Sequence, residues 1–106
     1  MRLHIGESDK HEGRPLYEAI VDLLREREFA GATVTRAILG FGASAHLHTD
    51  KVLRLTMDLP LIIECVDTQE KIDEVLPVLD RMIGGGLITL ENVRVIMNRP
   101  TVRTAR

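Results

Sequence analysis

The chain has 106 residues, 44% apolar and 28% charged, enough for one domain around one core. Only 3% are aromatic and the formal net charge is −2, which argues against a base-stacking platform and against general attraction to nucleic acid or anionic membranes. Cys65 is the one cysteine, so no internal disulfide forms and a reducing cytoplasm fits; no signal-peptide core precedes residue 10, and no run approaches the roughly 18 apolar residues of a membrane span.

In chain order, Leu3 and Ile5 alternate with Arg2 and His4, which predicts a strand over residues 2–6. Residues 7–13 (ESDKHEG) are polar and turn-prone. Pro15 suits the first residue of a helix, where a missing N–H costs nothing. Leu16, Ile20, Leu23 and Leu24 make one helical stripe, predicting a helix over residues 14–28 with Gly31 as its stop. Residues 33–41 are rich in β-branched side chains and read as a second strand. Residues 43–51 form a loop containing His46 and His48.

The next strand alternates from Leu53 to Val66. Leu59, Leu61, Ile63 and Cys65 share one face; Pro60, Ile62, Glu64 and Val66 share the other. Pro60 marks a bulge, a bend or an edge. Asp67 and Glu70 resemble a capping box for a second helix, with a stripe of Ile72, Val75, Leu76, Leu79 and Ile83 and a kink at Pro77. Gly84, Gly85 and Gly86 end that helix, and residues 87–97 read as a last strand. One domain thus spans residues 1–98, followed by a flexible basic tail over 99–106.

The order is βαββαβ, an α+β, ferredoxin-like arrangement: a four-stranded antiparallel sheet with two helices on one face. Ile62 and Val66 then lie on the face without helices, which predicts association between copies. Arg36 and Glu64 are placed to pair across the sheet or at a subunit boundary.

Several segments together resemble the PII signal-transduction superfamily: GATVTRAILGFG at 31–42, the His-containing loop, and the Gly-rich turn before the last strand. A closer resemblance is to a family of PII-like proteins, domain of unknown function 190. It is carried by GESDKHEGRPLYE, GATVTRAILGFGAS, HLHTDKVLRL, DLPLIIECVDTQEKI and GGGLITLENVRVI. The resemblance implies a homotrimer that binds adenine nucleotides (AMP, ADP or ATP) between subunits. Such a protein signals through the loop at 46–50 to a membrane transport protein or a metabolic enzyme. Carried over by position, Gly40, Phe41 and Gly42 line one side of the cleft, and Gly84, Gly85 and Gly86 offer N–H groups to phosphates. Leu87 stands where PII proteins commonly place a phosphate-binding lysine, and the loop is shorter than theirs. Both departures point away from triphosphate binding of the PII kind.

The residues themselves leave alternatives beside that implication. The three glycines form a backbone nest or a helix stop. A helix C-terminus carries partial negative charge, so an anion there needs a cation such as Lys10, Arg36 or Arg94. Gly40–Gly42 is a ligand wall or a strand end with a core Phe. Lys10, His11 and Arg14 are an anion site before the helix or a solvated loop. His46 and His48 form H-x-H, the start of a metal site or a solvent-facing pair. The leading reading is a non-enzymatic, cytoplasmic regulatory protein that neither enters the membrane nor binds nucleic acid. A metal-binding protein using His46 and His48 is the alternative, followed by a small enzyme acting on a nucleotide or phosphorylated metabolite; no nucleophile–base pair is readable from spacing.

Overall fold

The computed structural model describes residues 1–41 and 58–101. They form strand β1 (Arg2–Gly6), a small hairpin of β2 (Lys10–His11) and β3 (Arg14–Pro15), helix α1 (Leu16–Glu26), β4 (Thr33–Arg36), β5 (Pro60–Glu64), helix α2 (Gln69–Met82) and β6 (Leu87–Thr89). The main sheet has the order β4-β5-β1-β6, and every neighbouring pair is antiparallel. This α+β architecture is compatible with a ferredoxin-like fold.

The predicted alternation builds the core. Leu3 lies opposite Ile63, and Ile5 opposite Leu61, on one face of the sheet. There they meet Leu16, Ile20 and Leu24 of α1 and Val75 and Leu79 of α2 in a single buried cluster. Fully burying one such side chain contributes about 1.5–3 kcal/mol, so this two-layer contact is the main stabilising feature. The opposite face carries Thr35, Ile62, His4 and Leu87 in one row, and Thr33, Glu64, Arg2 and Thr89 in the next.

Helix α1 ends differently from the expectation. Gly31 is not the stop. Glu28 adopts φ 60, its N–H donates to Arg25 O, and the Phe29 N–H reaches back to Leu24 O, both at 3.0 Å. That is the Schellman pattern, with a glutamate in the left-handed position usually held by glycine. Pro15 precedes the helix as its cap residue, with φ −55. At α2 the cap is Thr68 rather than Asp67, its hydroxyl accepting from Lys71 N at 3.4 Å. Asp67 instead accepts from Ala30 N (2.9 Å) and Thr68 N (2.8 Å), tying the loop after α1 to the start of α2. Lys71 reinforces this tie by donating to Glu28 O and lying over the Phe29 ring. Helix α2 continues through Pro77, and it ends before the glycines, with Ile83 extended at φ −95 and ψ 109.

Both outer strands are shorter than the pattern predicts. Strand β4 stops at Arg36 because its partner β5 begins at Pro60; the last rung is Ala37 N to Pro60 O, 2.9 Å. Strand β6 stops at Thr89, opposite Arg2, where β1 runs out. Pro60 is accordingly the first residue of its strand, a position where a missing N–H is tolerated. The polar stretch 7–13 contains the unforeseen hairpin. Glu12 and Gly13 have φ 50 and 81, the double positive φ of a type I′ turn.

Candidate functional site

The two glycine segments leave the sheet at the same end. The chain turns at Gly40 just after β4 and at Gly84–Gly86 just before β6, and these are the two outer strands. Strands β5 and β1 lie between them. At about 4.8 Å per strand, the outer strands stand roughly 14 Å apart.

The glycines are not equivalent. A Cβ on Gly86 would lie 2.6 Å from His4 O, a backbone atom within β1, so the fold itself demands glycine there. A Cβ on Gly84 or Gly85 would meet nothing within 4 Å. Gly40 packs on the Pro60 ring, where a Cβ would come within 3.2 Å of Cγ. Phe41 is 86% exposed, so it is not the core residue of the structural alternative. Ile38 and Leu39 beside it are also exposed.

Arg36 is the last residue of β4 and pairs with Glu7 just after β1, Nε to Oε2 at 2.9 Å. It does not pair with Glu64. Glu64 lies opposite Thr33 on the face without helices and pairs there with Arg2 at 2.9 Å, whereas Arg36 lies opposite buried Leu61. Lys10 is exposed in the hairpin that follows β1. Arg14 is engaged by Asp22 at 2.6 Å; this bond raises the arginine pKa and lowers that of the carboxyl. Arg94 lies beyond β6, toward the far end of the sheet from the glycines. The glycine end also holds carboxylates that local spacing did not single out. Asp9 accepts from Gly6 N at 2.8 Å, and Asp58 from Ser8 N at 3.0 Å. They fasten the turn after β1. Ser8 and Asp58 are 50 positions apart, a separation that no local pattern in the sequence reveals.

Gly42, His46 and His48 lie outside the described residues. Among the described residues, no group of three or more His, Cys, Asp or Glu is placed to hold a metal ion. A groove of about 380 Å³ lies at the opposite end of the sheet, between Arg2, Glu64, Val66 and Asp67 on one side and Leu90 and Val93 on the other. It touches none of the glycines. Cys65 beside it is buried, which pushes its thiol pKa up and makes it a poor nucleophile. No helix among the described residues is long and apolar enough to cross a membrane.

Known proteins match over almost the whole chain. The DUF190 family model, described as Uncharacterized ACR, matches residues 1–95. A UPF0166 protein of Aquifex aeolicus is 38% identical over 96 residues, covering 91% of this chain and 90% of the relative. A UPF0166 protein of Methanocaldococcus jannaschii is 38% identical over 96 residues, covering 90% of this chain and 88% of its own. A second Aquifex aeolicus UPF0166 protein is 32% identical over 78 residues. These matches span the glycine turn, β4 and the core alike, and the chain belongs to the DUF190 (UPF0166) family.

Proposed function

We propose that the protein is a PII-like regulatory module that binds a small effector, an adenine nucleotide, between associated copies. The observation that carries this reading is the placement of the glycines. Gly84 and Gly85 face open space that the fold does not require, and Gly40 and Phe41 stand at the same sheet end on the other outer strand. Among the described residues nothing lies within 4 Å of a Cβ on Gly84 or Gly85, and Phe41 is exposed, so a site built from both segments has room for a neighbouring copy to complete it. A ring of three copies supplies such boundaries, consistent with the resemblance to PII proteins.

The chemistry fits a nucleotide. Phe41 offers an exposed ring to a base, and the backbone N–H groups at Gly84 and Gly85 approach phosphates without obstruction by side chains. The end carries carboxylates as well as Lys10 and Arg36, which favours a modest negative charge over a triphosphate. The loop after Phe41 reports occupancy to a partner protein such as a transporter or a metabolic enzyme. No catalytic step is assigned.

The test is a thermal-shift screen against AMP, ADP, ATP, cyclic nucleotides and divalent metals. A ligand at a hundred times its dissociation constant stabilises by about 2.7 kcal/mol, a rise of several degrees for a domain this size. The reading expects a rise with one adenine nucleotide that disappears in Gly85→Asp, a substitution the open space tolerates. No rise with any nucleotide overturns it. A rise only with metal, lost in His46→Ala/His48→Ala, replaces it with the metal-binding alternative.

A further inference from the structure

Three carboxylates meet at the turn after β1, those of Glu7, Asp9 and Asp58, and they are held in two different ways. Asp9 accepts from Gly6 N at 2.8 Å and Asp58 from Ser8 N at 3.0 Å. Both are fixed by backbone donors. Both also crowd Gly6, where a Cβ would come within 3.1 Å of the Asp9 carboxylate and 3.2 Å of the Asp58 carboxylate. Glu7 differs. Its backbone N–H donates to Leu59 O at 3.0 Å, but its carboxylate is engaged by a side chain, the Arg36 guanidinium, Nε to Oε2 at 2.9 Å.

This ion pair crosses a strand. Arg36 ends β4 and Glu7 follows β1, with β5 between them. At about 4.8 Å per strand, β4 and β1 stand roughly 10 Å apart, so the two side chains meet over the start of β5. They are 51% and 32% exposed. A pair this open to water is weak, a factor of about five in an equilibrium at most, and a competing anion displaces it readily. The neighbouring cations are placed otherwise. Arg14 is engaged by Asp22 at 2.6 Å, Arg94 lies toward the far end of the sheet, and Lys10 is exposed in the hairpin. Arg36 stands on the strand that leads into Gly40 and Phe41, four residues before Gly40.

We infer that Glu7 is a built-in competitor for the effector's phosphate. Its carboxylate holds the Arg36 guanidinium until a phosphate-bearing ligand at the glycine end takes that guanidinium over. The inference rests on the effector site proposed above and adds a control on it. Carboxylate and phosphate oxygens satisfy the same guanidinium donors, so one replaces the other without leaving the arginine charge uncompensated. Asp9 and Asp58 keep their backbone donors throughout, so the turn stays in place while the Glu7 side chain is exchanged. The site is then available to a phosphate only in the fraction of molecules whose Arg36 has left Glu7, and the apparent affinity falls by that fraction.

The test is isothermal titration of the full chain with AMP and with ADP. Glu7→Gln is expected to bind the nucleotide about two- to fivefold more tightly than wild type. Arg36→Gln is expected to lose about tenfold or more. Adding Glu7→Gln to Arg36→Gln should restore nothing, because the competitor acts only through the arginine. That double variant separates release of Arg36 from plain removal of a negative charge, which would help in either background. If Glu7→Gln fails to fold, as judged by circular dichroism, Glu7→Ala is read in the same way. Failure of wild type to bind either nucleotide overturns the effector site and the competitor with it. Binding that Glu7→Gln leaves unchanged or weakens, binding indifferent to Arg36→Gln, or a gain that persists in the double variant overturns the competitor and leaves the site proposal standing.

Discussion

Gly85 and Gly86 are adjacent and identical in side chain, yet the structure gives them opposite roles, and alanine substitution separates them. In Gly86→Ala the new methyl would sit 2.6 Å from His4 O, against an ordinary contact beginning at 3.4 Å. The gap must open by roughly 0.8 Å, taking those two distances as the guide. His4 O cannot give way cheaply, because His4 pairs with Leu87 on the first rung of the β1–β6 ladder. Overpacking of this kind costs about 1–3 kcal/mol, and a weakened ladder bond adds about 1 kcal/mol. We expect Gly86→Ala to lose about 2–4 kcal/mol, on the order of 10 °C or more in Tm at about 4–8 °C per kcal/mol. In Gly85→Ala nothing lies within 4 Å of the new methyl, and φ there is not in the left-handed region. Its stability should stay within about 0.5 kcal/mol of wild type, or rise slightly because the unfolded chain loses freedom. Urea unfolding of both variants measures this directly, with the m-value unchanged for Gly85→Ala. Equal losses in the two, or a larger loss in Gly85→Ala, would refute the division of these glycines into one required by the fold and one left free for a ligand.

Three further outcomes follow from the same geometry. Glu28→Gly relieves a left-handed L-residue, which costs about 1–2 kcal/mol, and forfeits some chain entropy; a net gain of up to about 1 kcal/mol is expected in thermal unfolding, since Lys71 bonds only the backbone of Glu28. Asp67, with a side chain only 9% exposed, is pulled up by burial, but its bonds from Thr68 N and Ala30 N prevail and its pKa falls below the ordinary value. Its stabilising contribution is therefore complete above the unfolded carboxyl pKa and lost as pH falls through the lower folded value; Asp67→Ala should cost about 2 kcal/mol at pH 7 and flatten the acid limb of the stability curve, both read by denaturant titration at several pH values. The buried Cys65 thiol should react with a thiol reagent at neutral pH only as fast as the protein opens, so the rate should climb steeply with added denaturant.

How much of this was legible in the chain depends on whether the signal was local. The alternation around Leu61 and Ile63 and the stripes of Leu16–Ile20–Leu24 and Ile72–Val75–Leu79 found the central strands and both helices, because burial on one face imposes the period. The ends of elements were harder. Strands β4 and β6 stop where β5 and β1 stop, a fact about the partner rather than about residues 37–41 or 90–97. Gly31 looked the better helix stop, but the bond Lys71 donates to Glu28 O and the one Asp67 accepts from Ala30 N fix the turn around Glu28 instead. The β2–β3 hairpin was missed because two-residue strands have no period, although Glu12-Gly13 resembles the Asp-Gly signal of a type I′ turn. At the candidate site, the glycine segments stood out by composition. That Gly86 belongs to the fold and Gly85 does not is visible only once β1 is placed beside them.

The most direct test of an effector held between copies is sedimentation of protein with bound adenine nucleotide, followed at 260 nm. The chain has no tryptophan and one tyrosine, so absorbance there follows the nucleotide. An effector held between copies should move with a trimer at one equivalent per chain. Nucleotide that remains unsedimented, or that moves with a monomer, would contradict it.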